Sequence, residues 1–202
     1  AAYQACTYFL KQGFFEGSVF AEAIFLSGKL GLSKMTEAYI ASVERIPTSV
    51  WSERLFSCCI NALQSMALSN HPKTVYFREL AEKFAHEYIA YFPYNEEGHY
   101  FCARMHFLQN NRNEAVDVLR RAIFEVRPGY DSNRLVCPNC CLFLLVILER
   151  SADHDFIQTI AEKGLADSNG ENGDCIYFAY RRARAMEAKL NSAQGKLDTS
   201  DI

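Results

Sequence analysis

Between Tyr76 and Pro128 a residue pattern recurs at an interval of 34 positions. Ala81, Ala85 and Tyr88 are matched by Ala115, Leu119 and Ala122, at equal offsets (115−81, 119−85, 122−88). Spacings of four and three place each trio on one face of a helix. An interval of 34 is the length of one helix–turn–helix unit. A unit of that size cannot bury its apolar face alone, so it must stack on neighbours. The chain is therefore expected to be all-α.

The punctuation along the chain agrees. The N-terminal stretch reads as two helices broken near Gly13, with Gly28 and Gly31 ending the second and Ser33 opening a third. Ile46-Pro47 closes that one, and Thr48 or Ser49 is the expected N-cap of the next, with Glu53 in its first turn. Thr74 to Tyr91 follows, stopped by Phe92-Pro93, and Asn95 then caps a helix that begins with Glu96 and Glu97. Asn110 suits a left-handed corner residue, and Asn111 with Glu114 has capping-box spacing. Pro138 fits a first helical turn, the run to Leu148 is apolar all round, and Asp153 begins a further helix. The count comes to about ten helices, or about five hairpins. We expect a single repeat domain over 1–190, clearest at 74–128, and a polar tail over 191–202.

In these 202 residues, half are hydrophobic and 22% charged, enough for a sizeable core. A net charge of −3 speaks against bulk binding to nucleic acid or anionic membrane. Lys11 and Gly13 interrupt the early apolar residues, so no secretory signal is expected there. The apolar run from Cys140 to Leu148 falls far short of the roughly 20 residues that span a bilayer. Five of the eight cysteines (Cys6, Cys58, Cys59, Cys102 and Cys175) lie in helix-like stretches, which predicts buried, reduced thiols and a cytoplasmic location.

Over Pro93–Pro128 the sequence resembles the tetratricopeptide repeat. His99, Tyr100, Cys102, Ala103 and His106 stand at the pattern positions of the repeat's first helix, and Ala115, Leu119, Ala122 and Pro128 at those of its second. The preceding helix matches through Ala81, Ala85, Tyr88 and Pro93. Departures are His99 for the usual Trp, His106 for Tyr, Asn110 for Gly, and Pro128 one residue late. The resemblance implies a right-handed superhelix of antiparallel helical hairpins, an α-solenoid. It also implies a protein-interaction scaffold that holds a peptide or helix in the concave surface made by the first helices. On that basis Tyr100, Ala103, Arg104 and Phe107 are the groove candidates.

Other motifs are weighed against packing. Cys137-Pro-Asn-Cys140 at a helix start suggests a lowered thiol pKa or a metal site. It lacks the βαβ context of redox motifs and the second ligand pair of structural zinc, so helix packing is the favoured reading. His99 and His106, two turns apart on one face, are read as packing residues in preference to a pH-sensitive ligand pair. Arg181, Arg182 and Arg184, interleaved with Tyr177 and Tyr180, form a candidate basic face for RNA or acidic peptides; a solvated helix face is the commoner use. There is no Gly-rich phosphate loop, HExxH or GxSxG, hence no expected catalytic, cofactor or metal residues.

The expected function is thus a non-catalytic scaffold for a protein or peptide partner. The alternatives are a regulatory or ligand-sensing domain of a larger protein, such as a transcription regulator, and an RNA-binding helical repeat. The opening AAYQ, without an initiating Met, predicts a processed product or an excised domain.

Overall fold

A computed structural model describes residues 2–11, 16–68, 72–126, 135–168 and 174–198. Among them are ten α-helices, one 3-10 turn and no strand. The helices are α1 (Ala2–Lys11), α2 (Gly17–Lys29), α3 (Ser33–Val43), α4 (Glu53–Leu68), α5 (Thr74–Tyr91), α6 (Glu96–Leu108), α7 (Arg112–Phe124), α8 (Pro138–Ile147), α9 (His154–Asp167) and α10 (Asp174–Asp198). Their contacts divide the chain into two compact units, Ala1–Gln109 and Asn110–Ile202. The division falls at the corner inside the 34-residue repeat. Gly13, the expected early break, and Pro128, which closes the repeat pattern, lie outside the described residues.

Two helix starts carry the side-chain caps that the sequence suggests. Asn95 Oδ1 accepts from the Glu97 N–H at 2.8 Å, and Asp153 Oδ1 from the Phe156 N–H at 3.1 Å. Asn110 takes φ 62°, the left-handed conformation its short amide side chain tolerates. Two expectations are corrected. The N-cap of α4 is Ser52, whose Oγ accepts from Leu55 N–H, because Thr48 and Ser49 are consumed in a 3-10 turn, Thr48–Val50. Asn111 makes no side-chain cap bond, so the capping box with Glu114 does not form. α10 runs on into this polar stretch as far as Asp198.

In the first unit α2, α4 and α6 lie side by side; α1 and α3 pack on α2, and α5 packs on both α4 and α6. Ala81 and Ala85 are fully buried on α5, where a small side chain lets helices approach closely. An aromatic cluster fills the space beside them. The Phe56 ring stacks on Tyr88 at 5.2 Å, and Trp51 meets Phe56 at 4.9 Å and Phe84 at 4.8 Å. Such pairs add about 0.5–1.5 kcal/mol each beyond area burial. Trp51 Nε1 donates to the Ile46 carbonyl at 3.1 Å, so the indole is buried with its polar atom satisfied.

In the second unit α8 packs against α7, α9 and α10, which explains a helix apolar on every side. Gly164 allows α9 to lie against the fully buried Phe178 of α10; a Cβ there would stand 2.5 Å from the ring.

Candidate functional site

The first unit presents a concavity on its α2/α4/α6 side, about 470 Å³ in volume, lined by Phe25, Glu53, Arg54, Ser57, Cys58, Asn61, Asn95 and Glu97. Helical spacing builds it: Arg54, Ser57, Cys58 and Asn61 share one face of α4. Opposite them stand Phe25 of α2 and Glu97 of α6, the latter in the first turn where a carboxylate suits the helix dipole.

Polar bonds run across this floor. Arg54 pairs with Glu22 at 2.5 Å, Ser57 donates to Glu97 at 2.5 Å, and Asn95 Nδ2 donates to Glu53 at 2.8 Å. The Tyr88 hydroxyl also reaches Glu97, at 3.3 Å. Glu53 and Glu97 of the lining and the adjacent Glu22, against Arg54 and the edge cation Lys29, leave this region acidic by a single charge (3 − 2). Phe25 is 40% exposed at its edge, with Lys29 Nζ 4.8 Å above the ring. Burial raises the Cys58 thiol pKa despite the neighbouring Arg54, so this cysteine is a neutral wall residue and no thiolate nucleophile.

The sequence candidates on α6 divide by face. Tyr100 and Arg104 are half-buried and Phe107 is 40% exposed. With Glu97 they form a single stripe at spacings of three, four and three. Ala103 lies off that stripe and is wholly buried, a packing residue. Sequence reasoning missed the α2 and α4 contributions, Phe25, Arg54 and Asn61. No repeat pattern marks those helices; only their amphipathic spacing was available as a signal.

The basic cluster is also split. Arg181 is buried, and its guanidinium donates to the Leu145 carbonyl and the Tyr177 hydroxyl, both at 2.8 Å. It therefore serves the end of α8, while Arg182 and Arg184 are exposed. Arg184 borders a second concavity of about 250 Å³ with Glu149, His154, Tyr177 and Tyr180.

The fold brings Cys137 to a thiol outside the CxxC motif. Cys137 meets Cys141, one position beyond, and their hydrogen bond with burial raises the Cys141 pKa. Asp167 accepts from the Cys137 N–H at 2.9 Å and pairs with Lys163. All eight cysteines are thiols, and Cys137, Cys140 and Cys141 are buried. The histidines are likewise sorted. His99 is buried with Nε2 2.9 Å from the Pro93 carbonyl, whereas His106 stands 6.3 Å, ring to ring, from His86 of α5.

No protein-family model matches the sequence, and no curated protein does. Among solved structures, a thermophilic tetratricopeptide-repeat protein from Thermus thermophilus is similar, with a TM-score of 0.58 at 14% identity. The match covers 93% of this chain and 89% of that one. No described helix is long and apolar enough to cross a membrane. The fold of this chain is that of a tetratricopeptide-repeat protein, all-α and built of antiparallel helical hairpins.

Proposed function

We propose that the protein is a non-catalytic binding module that holds a segment of a partner protein against the α2/α4/α6 face. The observation that carries this reading is the concavity itself: three alternate helices meet there, with an exposed aromatic at its edge and bondable polar groups on its floor. Recognition of a peptide needs an apolar anchor and a few groups that fix direction. Phe25 supplies a surface for the first, and Asn61, Arg54 and Glu97 supply the second. The acidic balance favours a partner segment carrying Lys or Arg over one carrying carboxylates. Tyr100, Arg104 and Phe107 extend the same reading along α6, and eight thiols suit a reducing, cytoplasmic-type compartment.

A photo-crosslinking residue at Asn61, compared with one at the exposed Glu79 of α5, tests the proposal in lysate of the source cells. We expect a discrete protein adduct from position 61, lost when Phe25→Ala and Arg54→Glu are added, and none from position 79. Equal, unselective labelling from both positions refutes the groove. The RNA reading is weakened because one of its three arginines is committed to the fold. Binding of RNA that falls steeply with salt and disappears in the Arg182→Ala/Arg184→Ala variant would revive it.

A further inference from the structure

A different face of the first unit gathers ligands of another kind. His86 on α5 and Cys102 and His106 on α6 converge, with one ligand atom from each lying within 4.8 Å of the others. Cys102 Sγ is 3.9 Å from His86 Nδ1, and the two imidazoles are inclined at 69°. Cys102 and His106 are four positions apart and so project from adjacent turns on one side of α6. His86 comes from the helix packed against that side. The Nδ1 atom of His106 is buried with no hydrogen-bond partner. An imidazole nitrogen left so inside a protein is destabilising, and a metal bond is one use that offsets it.

We propose that His86, Cys102 and His106 bind a zinc-type divalent cation, pinning α5 to α6. One thiolate and two imidazoles are a borderline-soft set, which selects zinc or cobalt over magnesium or calcium. Tetrahedral zinc with Zn–S of about 2.3 Å and Zn–N of about 2.0–2.1 Å puts ligand atoms roughly 3.3–3.6 Å apart. Side-chain rotations of under about 1 Å close the present spacing to that. Binding forms one metal–sulfur and two metal–nitrogen bonds, and the Cys102 thiol proton leaves to solvent. The fourth position is left for water or an exogenous ligand. His86 is exposed and gives the ion its entry path, while Cys102 is 2% exposed and keeps the thiolate from competing reactions. The other thiol cluster, Cys137, Cys141 and Asp167, is a poorer cation site because Lys163 already occupies its carboxylate.

Titration of the full chain with Co²⁺ and then Zn²⁺, under reducing conditions, tests the site. The expected result is one equivalent bound, with a thiolate-to-cobalt charge-transfer band and tetrahedral d–d bands that zinc abolishes. His86→Ala, at an exposed position that leaves folding intact, should weaken binding at least tenfold, since outer-shell partners alone are worth about 10–100-fold. Cys102→Ser should remove the charge-transfer band, with helix content checked by circular dichroism. Zinc should raise the melting temperature of wild type but not of His86→Ala. Absence of the charge-transfer band in wild type overturns the proposal. So does affinity unchanged in His86→Ala, or binding that survives Cys102→Ser and is lost in Cys137→Ser/Cys141→Ser.

Discussion

Replacing Arg181 by Met separates two meanings of a basic cluster, because the side chain is built into the second unit. Its guanidinium donates to the Leu145 carbonyl and the Tyr177 hydroxyl at 2.8 Å, and more distantly to the Leu148 carbonyl at 3.5 Å. Leu145 and Leu148 stand at the end of α8, where carbonyls lack partners within the helix and the dipole is negative. Met keeps most of the volume but leaves a buried carbonyl and a hydroxyl without their donor. Hydrogen bonds to charged groups are worth about 1.5–3 kcal/mol each. The cost of burying the guanidinium is recovered at the same time, so the net loss should be about 2–3 kcal/mol. With a urea m-value of roughly 2 kcal/mol/M, the unfolding midpoint should fall by about 1 M at constant slope. Arg182→Ala and Arg184→Ala, at exposed positions, should stay within about 0.5 kcal/mol of wild type. Urea unfolding followed by circular dichroism reads all three. An Arg181→Met curve that overlays wild type would show that the guanidinium does not secure α8 and would return it to the candidate basic face.

Gly164→Ala should destabilise, although Ala is favoured over Gly in a helix by about 1 kcal/mol. The new methyl would lie 2.5–2.7 Å from three atoms of the buried Phe178 ring, and such overpacking costs about 1–3 kcal/mol. Phe178→Leu should partly rescue it in a double-mutant cycle, and additivity of the two losses would refute the contact. The buried thiols predict an alkaline limit. The Cys59 pKa is raised by burial, and that of Cys141 by its bond with Cys137 and by burial. The unfolded chain binds fewer protons above about pH 8.5. Their contribution is therefore complete below that pH and is lost as pH rises toward the raised folded-state values. Native protein at pH 8 should resist iodoacetamide at both sites, and rapid alkylation of either under folding conditions would contradict the burial.

The helices were legible because their signals are local. Asn95, Asp153, Pro138 and the Asn110 corner each act through their own backbone, and the structure uses all four as the sequence suggests. Failures came where two candidates compete within a few residues. Ser52 takes the cap from Thr48 and Ser49 because Trp51 must turn inward to reach Phe56 and Phe84, and that choice depends on partners up to 33 positions away (84−51). Asn191 and Ser192 carry no apolar face, and they are helical because they follow directly from a helix already formed on α9.

The site was less legible than the fold, and the 34-residue interval itself explains why. The residues that repeat are those held constant by packing, such as Ala81, Ala85 and Ala115, and they are fully buried. A ligand meets the positions left over. On α6 the stripe Glu97, Tyr100, Arg104 and Phe107 is found by stepping off the packing face, which is how three of the four groove candidates reached the surface and Ala103 did not. On α2 and α4 no interval marks the packing face, so there was nothing to step off, and Phe25, Arg54 and Asn61 emerged only when the helices were placed side by side. The same reasoning applies to His86, Cys102 and His106. The i, i+4 pair on α6 is visible in the sequence, but the third ligand becomes a neighbour only because α5 packs against that side of α6. A period in a repeat protein thus points to the faces that cannot vary, and function is to be sought on the faces it leaves unconstrained.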